Sequence, residues 1–208
     1  MSKFINLWEI RHQSHSYISW LQNWPLRNIK EQEIEAALVA SGIVDDIDVA
    51  SVFEIGVGAC TNLMLAKRLM PKVTLAGNDL VPEKIIRHIG KEWENKIDVM
   101  GIDTATLFAT QTFHPDLFMT IDHAMHLDTE TVANAMEKLD KEWKPKYILI
   151  REANMTVTQS DENSNLPRLG HVYSLPSYDM IYDAKSACLP RKTMQDGFFY
   201  FIRVYKRR

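Results

Sequence analysis

The chain has 208 residues, enough for one domain of average size with a short added segment but not for two full domains. Hydrophobic residues make up 46% and charged residues 25%, close to globular averages, so the composition predicts a folded core rather than extended disorder. The formal net charge of −3 disfavours non-specific binding to nucleic acids.

The cysteine content and the hydropathy of the chain indicate the cellular compartment to expect. Cys60 and Cys188 are too few for a disulfide framework, and the N-terminus lacks the basic-then-apolar pattern of a signal peptide. Charged residues or histidines interrupt every long apolar stretch before it reaches the roughly 18 residues of a membrane span. We therefore expect a cytoplasmic protein that does not enter a membrane.

Residues 1–45 are predicted to form a lid or cap on the rest of the chain. Apolar positions between residues 26 and 41 recur at helical spacing, and Gly42 is a suitable helix stop. The preceding segment is rich in aromatic side chains, namely Trp8, Tyr17, Trp20 and Trp24. These rings could close over a bound cation and exclude water, or they could pack onto the helices of the core.

Beyond residue 45, short apolar runs alternate with helical patterns. The predicted strands cover residues 51–55, 72–78, 97–101, 116–121, 147–151 and 197–205. The predicted helices cover residues 60–70, 82–95, 104–110, 129–143 and 177–185. Strands that alternate with helices form right-handed parallel crossovers, so we predict an α/β fold with a doubly wound, mostly parallel sheet and helices on both faces.

Two glycines, Gly56 and Gly58, follow the first predicted strand. Residues 52–63 read Val-Phe-Glu-Ile-Gly-Val-Gly-Ala-Cys-Thr-Asn-Leu. Glycine allows the backbone to turn tightly and a ligand to approach it closely. A dinucleotide-binding fingerprint would need a third glycine at position 61, where this chain has Thr61. Because doubly wound sheets bind ligands beyond the carboxyl ends of their strands, this turn is the candidate ligand site.

The turn resembles the first motif of the class I S-adenosylmethionine-dependent methyltransferases, in which an acidic residue precedes spaced glycines. Glu54, Gly56 and Gly58 match the motif, and Cys60 stands where the third glycine commonly lies. Three further segments resemble the ends of the second, third and fourth strands of this family, namely residues 77–83, 100–103 and 115–119. The resemblance covers about residues 50–155. It implies a methyltransferase domain over residues 46–208, with seven strands, an antiparallel last strand and a variable substrate lid at about residues 156–190.

The resemblance also implies that the chain binds S-adenosylmethionine and releases S-adenosylhomocysteine. In the family, an acid at the position of Asp79 accepts hydrogen bonds from the ribose hydroxyls, and a residue at the position of Asp103 meets the adenine amino group. The residues assigned to the cofactor in this way are Glu54, Gly56, Val57, Gly58, Asn62, Asp79, Leu80, Asp103 and Asp122.

Asp122 and His123 directly follow the fourth predicted strand and are the candidate catalytic residues. Methyl transfer is an in-line displacement that depends on alignment and on the exclusion of water. A base such as His123 is needed only if the acceptor carries a proton on the reacting atom. A structural role stays open, in which Asp122 bonds loop amides and His126 packs against the next helix.

Other candidates would line the acceptor pocket. The predicted substrate-binding residues are Tyr17, Trp20, His126, Arg151, His171 and Tyr173, and Glu152 and Asn154 lie near Arg151 in sequence. Arg151 and its neighbours could equally form ordinary ion pairs. The carboxylates do not match a metal-ligand spacing closely, so we expect no metal site.

The leading interpretation is an enzyme that methylates a small molecule, because the chain leaves no room for a separate macromolecule-binding module. A protein substrate and a catalytically silent cofactor- or partner-binding module remain alternatives. Thr61 opposes a nicotinamide-dependent oxidoreductase, and the lack of an Asn-Pro-Pro-Tyr-type motif opposes a nucleic-acid substrate. The methyl acceptor and the oligomeric state stay open.

Overall fold

The computed structural model of the protein describes residues 24–80, 93, 95–154, 169–186 and 199–208, with side chains from residue 28 onward. The α-helices of this part of the chain are α1 (Trp24–Ala40), α2 (Thr61–Leu69), α3 (Thr104–Thr110) and α4 (Thr129–Lys138), and α4 continues as a π-helical turn, Leu139–Trp143. The strands are β1 (Ser51–Ile55), β2 (Thr74–Asp79), β3 (Ile97–Gly101), β4 (Leu117–Ile121), β5 (Tyr147–Ala153), β6 (Tyr178–Lys185) and β7 (Tyr200–Arg207).

The seven strands form one sheet in the order β3-β2-β1-β4-β5-β7-β6. Strands β1 to β5 pair in parallel, and β7 lies antiparallel between β5 and β6. This arrangement confirms the predicted doubly wound, mostly parallel sheet with an antiparallel last strand.

Helices cover both faces of the sheet. Leu117 and Phe118 are neighbours in β4 and are fully buried, and because successive strand residues point to opposite faces, they belong to two different hydrophobic clusters. Leu117 shares its cluster with Ile34 of α1 and Leu63 of α2. Phe118 shares the other cluster with Leu107 of α3. Both faces of β4 are therefore buried, which explains why its sequence is a continuous apolar run rather than an alternating one.

Five aromatic rings strengthen the core on the side of α3 and α4. They belong to Phe53, Phe108, Phe113, Phe118 and Trp143. The Trp143 ring stacks on Phe108 at 4.8 Å between centroids and meets Phe53 edge-on at 5.6 Å. Offset and edge-to-face contacts of this kind stabilise a core beyond the area they bury.

The strand order reverses between β1 and β4. The chain proceeds from β1 to β2 and β3 in one direction and then returns to the other side of β1 to form β4. The crevice beyond the carboxyl ends of β1 and β4 is the position at which doubly wound sheets bind ligands. The turns after these two strands therefore define the candidate site.

The predicted helix at residues 177–185 is wrong, because this segment forms the strand β6. Helical spacing is present at Tyr178, Ile181 and Tyr182, and taken alone this spacing favours a helix. The segment pairs antiparallel with β7 along its length, with an irregularity between Met180 and Tyr182. Met180 and Ile181 are exposed, so no buried helical stripe exists here. Pairing with a strand that lies distant in the sequence overrides the local pattern.

The other predicted elements in the described residues are confirmed. The bounds of β1, β3 and α3 agree with the prediction, and no other bound differs by more than three residues when the π-helical turn is counted with α4. The predicted helix at residues 82–95 lies almost entirely outside the described residues. Within the described part of the chain, no helix has the length and apolar character needed to cross a membrane.

The proposed division at residue 45 stays a prediction. Residues 1–23 lie outside the described part of the chain, as do residues 156–168 and 187–190 of the predicted lid at about residues 156–190. Within the described part, α1 packs directly on the sheet, since its Ile34, Ala37 and Leu38 side chains are fully buried in the core.

Candidate functional site

The turn after β1 contains three residues in the left-handed backbone region. Gly56, Gly58 and Cys60 have φ angles of +63°, +51° and +56°. Glycine adopts this region without a steric penalty, whereas a side-chain-bearing residue such as Cys60 loses roughly 1–2 kcal/mol. The turn is held by the N–H of Val57, which donates to the Asn78 carbonyl at 3.0 Å, and by the N–H of Cys60, which donates to the Val57 carbonyl at 2.8 Å.

The Cys60 thiol is fully buried, and burial raises its pKa well above the usual value. The acidic groups of Glu54 and Asp79 raise that pKa further. A thiol in these surroundings stays protonated and unreactive, so Cys60 fills space in the core where the resembling family commonly has glycine.

Asp79 ends β2 and reaches the same turn. Its Oδ2 accepts a hydrogen bond from the Gly58 N–H at 3.0 Å, and the residue is almost fully buried. The approach of β2 to the turn depends on Gly77, where a Cβ atom would overlap the Val57 side chain and the Glu54 carbonyl oxygen. The structure thus brings together Glu54, Val57, Gly58 and Asp79, all of which the sequence assigned to cofactor binding.

Glu54 is a fully buried carboxyl at the end of β1. Its Oε1 accepts a hydrogen bond from Asn62 Nδ2 of α2 at 2.6 Å, whereas its Oε2 has no hydrogen-bond partner among the described residues. Burial raises the pKa of Glu54 to about 8, against the Asn62 hydrogen bond and the charge of Lys30, which lower it. The charges of Asp122 and Asp79 add to the increase. Glu54 therefore holds a proton at neutral pH.

The buried carboxyl of Glu54 makes folding stability depend on pH. The unfolded chain releases this proton near the ordinary pKa of 4.5, whereas the folded protein keeps it up to about pH 8. Glu54 therefore stabilises the fold less as pH rises through this interval. Glu54→Gln keeps an oxygen for Asn62 and does not titrate, so its free energy of unfolding relative to wild type should rise by more than about 1 kcal/mol between pH 5 and pH 8. Urea unfolding at both pH values measures this, and an unchanged difference would exclude the linkage.

The His123 ring lies directly against Gly56. A Cβ atom built at Gly56 would overlap the His123 ring, and the ring atom nearest to that Cβ would be Nδ1. The other ring nitrogen, Nε2, lies 2.9 Å from Oγ1 of Thr104, the first residue of α3. His123 therefore connects the turn after β1 with the start of α3 across the strand-order reversal.

The contact with His123 predicts a specific cost for adding a methyl group at Gly56. Gly42 offers a matched control, because its φ angle of +71° is similar and no atom lies within 4 Å of a Cβ built there. Gly42→Ala should lower the free energy of unfolding by about 1 kcal/mol through backbone strain alone. Gly56→Ala should lower it by at least about 1 kcal/mol more, since the His123 ring must move. Urea denaturation compares the two variants, and equal losses would contradict the contact.

Arg151 of β5 is buried in an ionic network with residues of α1. Its Nη1 donates to Asp122 Oδ1, its Nε donates to Glu33 Oε2 at 3.2 Å, and its Nη2 donates to Ser186 Oγ at 2.9 Å. Lys30 Nζ of α1 lies 3.7 Å from Asp122 Oδ2. The side chain of Asp122, whose φ angle is +55°, is thus oriented by two cations.

Glu152, the next residue of β5, holds the loop that carries His123. Its fully buried Oε1 accepts hydrogen bonds from Thr120 Oγ1 at 2.7 Å and from the N–H groups of His123 and Ala124 at 3.2 and 2.9 Å. Its Oε2 accepts from the Met125 N–H at 3.1 Å. Burial, followed by the charge of Asp122, raises the pKa of Glu152 to about 7. The sequence marked Glu152 only as an acid near the pocket and gave no sign of these backbone contacts.

The sequence and the structure of this chain differ in how far they resemble known proteins. No family model and no curated protein matches the sequence. The structure resembles that of TehB from Haemophilus influenzae, with a TM-score of 0.60 and 14% identity over 82% of this chain and 62% of that one. It also resembles N-methyltransferase NodS from Bradyrhizobium japonicum WM9 in complex with S-adenosyl-L-homocysteine, with a TM-score of 0.58 and 13% identity over 86% and 88% of the two chains. The chain has the fold of the class I S-adenosylmethionine-dependent methyltransferases.

A third solved structure extends the methyltransferase likeness to a longer protein. Mitomycin 7-O-methyltransferase MmcR gives a TM-score of 0.53 and 11% identity over 83% of this chain, which spans only 54% of MmcR. At these identities the likeness establishes the fold, and the reaction has to be argued from the site.

The methyltransferase fold places the remaining cofactor candidates near the same edge of the sheet. Asp103 caps α3, because its Oδ1 accepts from the Thr106 N–H at 3.0 Å and its Oδ2 from the Thr106 hydroxyl at 2.6 Å. Leu80 follows β2 and is partly exposed. A contact of either residue with a cofactor stays a prediction.

Two of the remaining substrate candidates, His126 and His171, lie in or against the segment that follows β4. His171 Nε2 lies 3.0 Å from the Ala124 carbonyl and donates this hydrogen bond, because a carbonyl oxygen only accepts, while burial lowers the pKa of His171. Tyr173 meets the rings of His171 and Phe201 edge-on, and burial raises the pKa of its hydroxyl. His126 lies in the short 3₁₀ helix Ala124–His126, whereas Tyr17 and Trp20 fall outside the described part of the chain.

Several polar residues of the site were not identified from the sequence. They are Lys30 and Glu33 of α1, Asn78 of β2, Thr104 of α3, and Ser186, which follows β6. A polar residue inside an amphipathic helix or at a strand end gives no local signal of its distant partner. Among the described residues, no group of three or more His, Cys, Asp or Glu side chains could hold a metal ion.

Proposed function

We propose that this protein binds S-adenosylmethionine and transfers its methyl group to a small-molecule acceptor. The observation that carries the proposal is the hydrogen bond from the Gly58 N–H to Asp79, which joins an acid at the end of β2 to the glycine turn after β1. This pairing lies at the strand-order reversal, where doubly wound sheets bind ligands. The S-adenosyl-L-homocysteine complex of NodS, a protein of the same fold, supports this choice of ligand.

The residues at the glycine turn fit such a cofactor. The Asp79 carboxylate would accept hydrogen bonds from the ribose hydroxyls, and Gly56 and Gly58 allow a ligand to approach the backbone. The negative charges of Asp79 and Asp122 both raise the pKa of Glu54, which shows that the two aspartates lie near the same point. Together they favour a cationic ligand at the glycine turn. The bound cofactor supplies a methyl group on a positively charged sulfur.

The remaining task of the chain is to align the methyl acceptor. Asp122 and His123 follow β4, and the His123 ring lies against Gly56, so this segment is placed to contact a ligand bound at the glycine turn. Arg151 and Lys30 fix the side chain of Asp122, and Glu152 fixes the backbone of His123. Holding groups rigidly in this way contributes to an in-line displacement by avoiding reorganisation during the reaction.

A small acceptor is favoured by the architecture of the site. The aligned part of this chain covers 88% of the NodS chain, and the described strands all belong to one sheet. The crevice of such a sheet at its strand-order reversal is the kind of site that binds small molecules.

The test is the affinity of an Asp79 variant for S-adenosylhomocysteine. Asp79→Asn keeps an oxygen that can accept from the Gly58 N–H but removes the charge that favours the ribose hydroxyls. We expect its dissociation constant, measured by calorimetry, to increase at least about tenfold. Asp98→Asn, on the exposed side of the neighbouring strand β3, is the matched control and should bind as wild type does. Equal affinities for all three proteins would remove Asp79 from the cofactor site.

A further inference from the structure

Thr104 is a buried hydroxyl between two polar side chains of the site. Its side chain is only 3% exposed, and its Oγ1 lies 2.9 Å from His123 Nε2 and 3.3 Å from Asn78 Nδ2. Asn78 is still more deeply buried, and its Nδ2 also lies 2.9 Å from the Ile102 carbonyl oxygen. The three side chains form a continuous chain of hydrogen bonds from β2 to the loop after β4.

The direction of this chain follows from which groups can donate. The Ile102 carbonyl only accepts, so Asn78 must present its NH₂ group on this side, and the second proton of that group points to Thr104. Thr104 accepts from Asn78 and has one hydroxyl proton to donate, for which His123 Nε2 is the acceptor within reach. A neutral imidazole that accepts at Nε2 carries its proton at Nδ1.

Nδ1 is the ring atom that meets the glycine turn. Of the atoms near a Cβ built at Gly56, Nδ1 of His123 is the nearest. The backbone N–H of the same residue is held by Glu152, so the ring is oriented through both its backbone and its Nε2 atom. Nδ1 is therefore the ring nitrogen on the side of the glycine turn, which is the candidate ligand site.

We propose that Asn78 and Thr104 are positioning residues that hold His123 in the Nδ1–H form, so that His123 presents a hydrogen-bond donor to the bound ligand. The ligand-facing part of this inference rests on the proposed function. In its neutral form, Nδ1 then has no lone pair with which to take a proton from the methyl acceptor, and this replaces the general-base role predicted for His123. An acceptor that meets His123 in this form arrives as an anion, such as a carboxylate or thiolate, for which methyl transfer needs no base.

The tautomer can be measured directly on the 208-residue protein without any ligand. Long-range ¹H–¹⁵N NMR of protein labelled in histidine, at about pH 8 where an ordinary imidazole is neutral, distinguishes a protonated from an unprotonated ring nitrogen. The His123 signals are assigned by their loss in His123→Gln. We expect Nδ1 to be protonated and Nε2 unprotonated in the wild type, and a protonated Nε2 would overturn the proposal.

Two substitutions test whether Thr104 sets this form. Thr104→Val has nearly the same shape without the hydroxyl, and it should shift His123 away from the pure Nδ1–H form, whereas Thr104→Ser should retain it. An unchanged tautomer in Thr104→Val would overturn the role of Thr104. If Thr104→Val does not fold, the wild-type and Thr104→Ser spectra still decide between the two tautomers.

This measurement separates the inference from the proposed function. If the wild type has the Nδ1–H form but binds no S-adenosylhomocysteine in calorimetry, the role of Thr104 stands and the cofactor assignment fails. If the protein binds S-adenosylhomocysteine but has the Nε2–H form, the cofactor assignment stands and the inference about His123 fails.

Discussion

Replacing Glu152 by alanine should lower the free energy of unfolding by about 3 kcal/mol or more. The substitution leaves the buried Thr120 hydroxyl and the N–H groups of His123, Ala124 and Met125 without the carboxylate that accepts from them. Each buried donor left without a partner costs about 1–3 kcal/mol. Urea denaturation with a fluorescence or circular dichroism readout measures the loss.

Two further variants make the Glu152 result specific. Glu152→Gln keeps one carbonyl oxygen as an acceptor and should lose clearly less stability than Glu152→Ala. Glu137→Ala removes an exposed carboxylate that pairs with the exposed Lys141 one turn away, and exposed pairs of this kind contribute little to stability. A Glu152→Ala loss no larger than that of Glu137→Ala would show that Glu152 does not hold the His123 loop.

The second large effect is expected at Arg151. Arg151→Met preserves the apolar part of the side chain but leaves the carboxylates of Asp122 and Glu33 without their buried guanidinium. Removing one partner of a buried ion pair costs about 3–5 kcal/mol, because the remaining charge is desolvated without compensation. The free energy of unfolding, measured in urea at neutral pH, should fall by at least about 3 kcal/mol.

Arg208→Met is the matched control for Arg151. Arg208 follows β7 and pairs with Asp179, and both side chains are more than 60% exposed. Water solvates both groups when the pair is broken, so the loss should stay below about 1 kcal/mol. If the two arginine variants lost similar amounts of stability, the network between α1 and β5 would not be what anchors Asp122.

The sequence predicted the sheet well because the determining signals are local. The run at residues 51–55 and the glycines at 56 and 58 identify a strand followed by a tight turn, and the structure places them there. Pairing of β6 with β7 depends on contacts between segments about 20 residues apart, which the helical spacing of Tyr178, Ile181 and Tyr182 concealed. Local periodicity therefore indicated the parallel part of the sheet and failed at its antiparallel edge.

The candidate site was predictable only in part for a related physical reason. Positions such as Glu54, Gly58 and Asp79 were identified from the family motif, and the structure brings them together because adjacent strands end at one edge of the sheet. The side chains that contact His123 and Arg151 come from segments that share no motif. Thr104, which contacts His123, begins the helix after β3, and Glu33, which contacts Arg151, lies in α1. Their roles depend on three-dimensional distances, which spacing along the chain does not encode.

The most direct test of the central claim is a calorimetric titration of the wild-type protein with S-adenosylmethionine and S-adenosylhomocysteine, with NADH as the comparison ligand. The arrangement of Asp79, Gly56 and Gly58 predicts saturable binding of both sulfur nucleosides and no binding of NADH. Binding of NADH alone, or of none of the three ligands, would contradict the assignment of the glycine turn to S-adenosylmethionine.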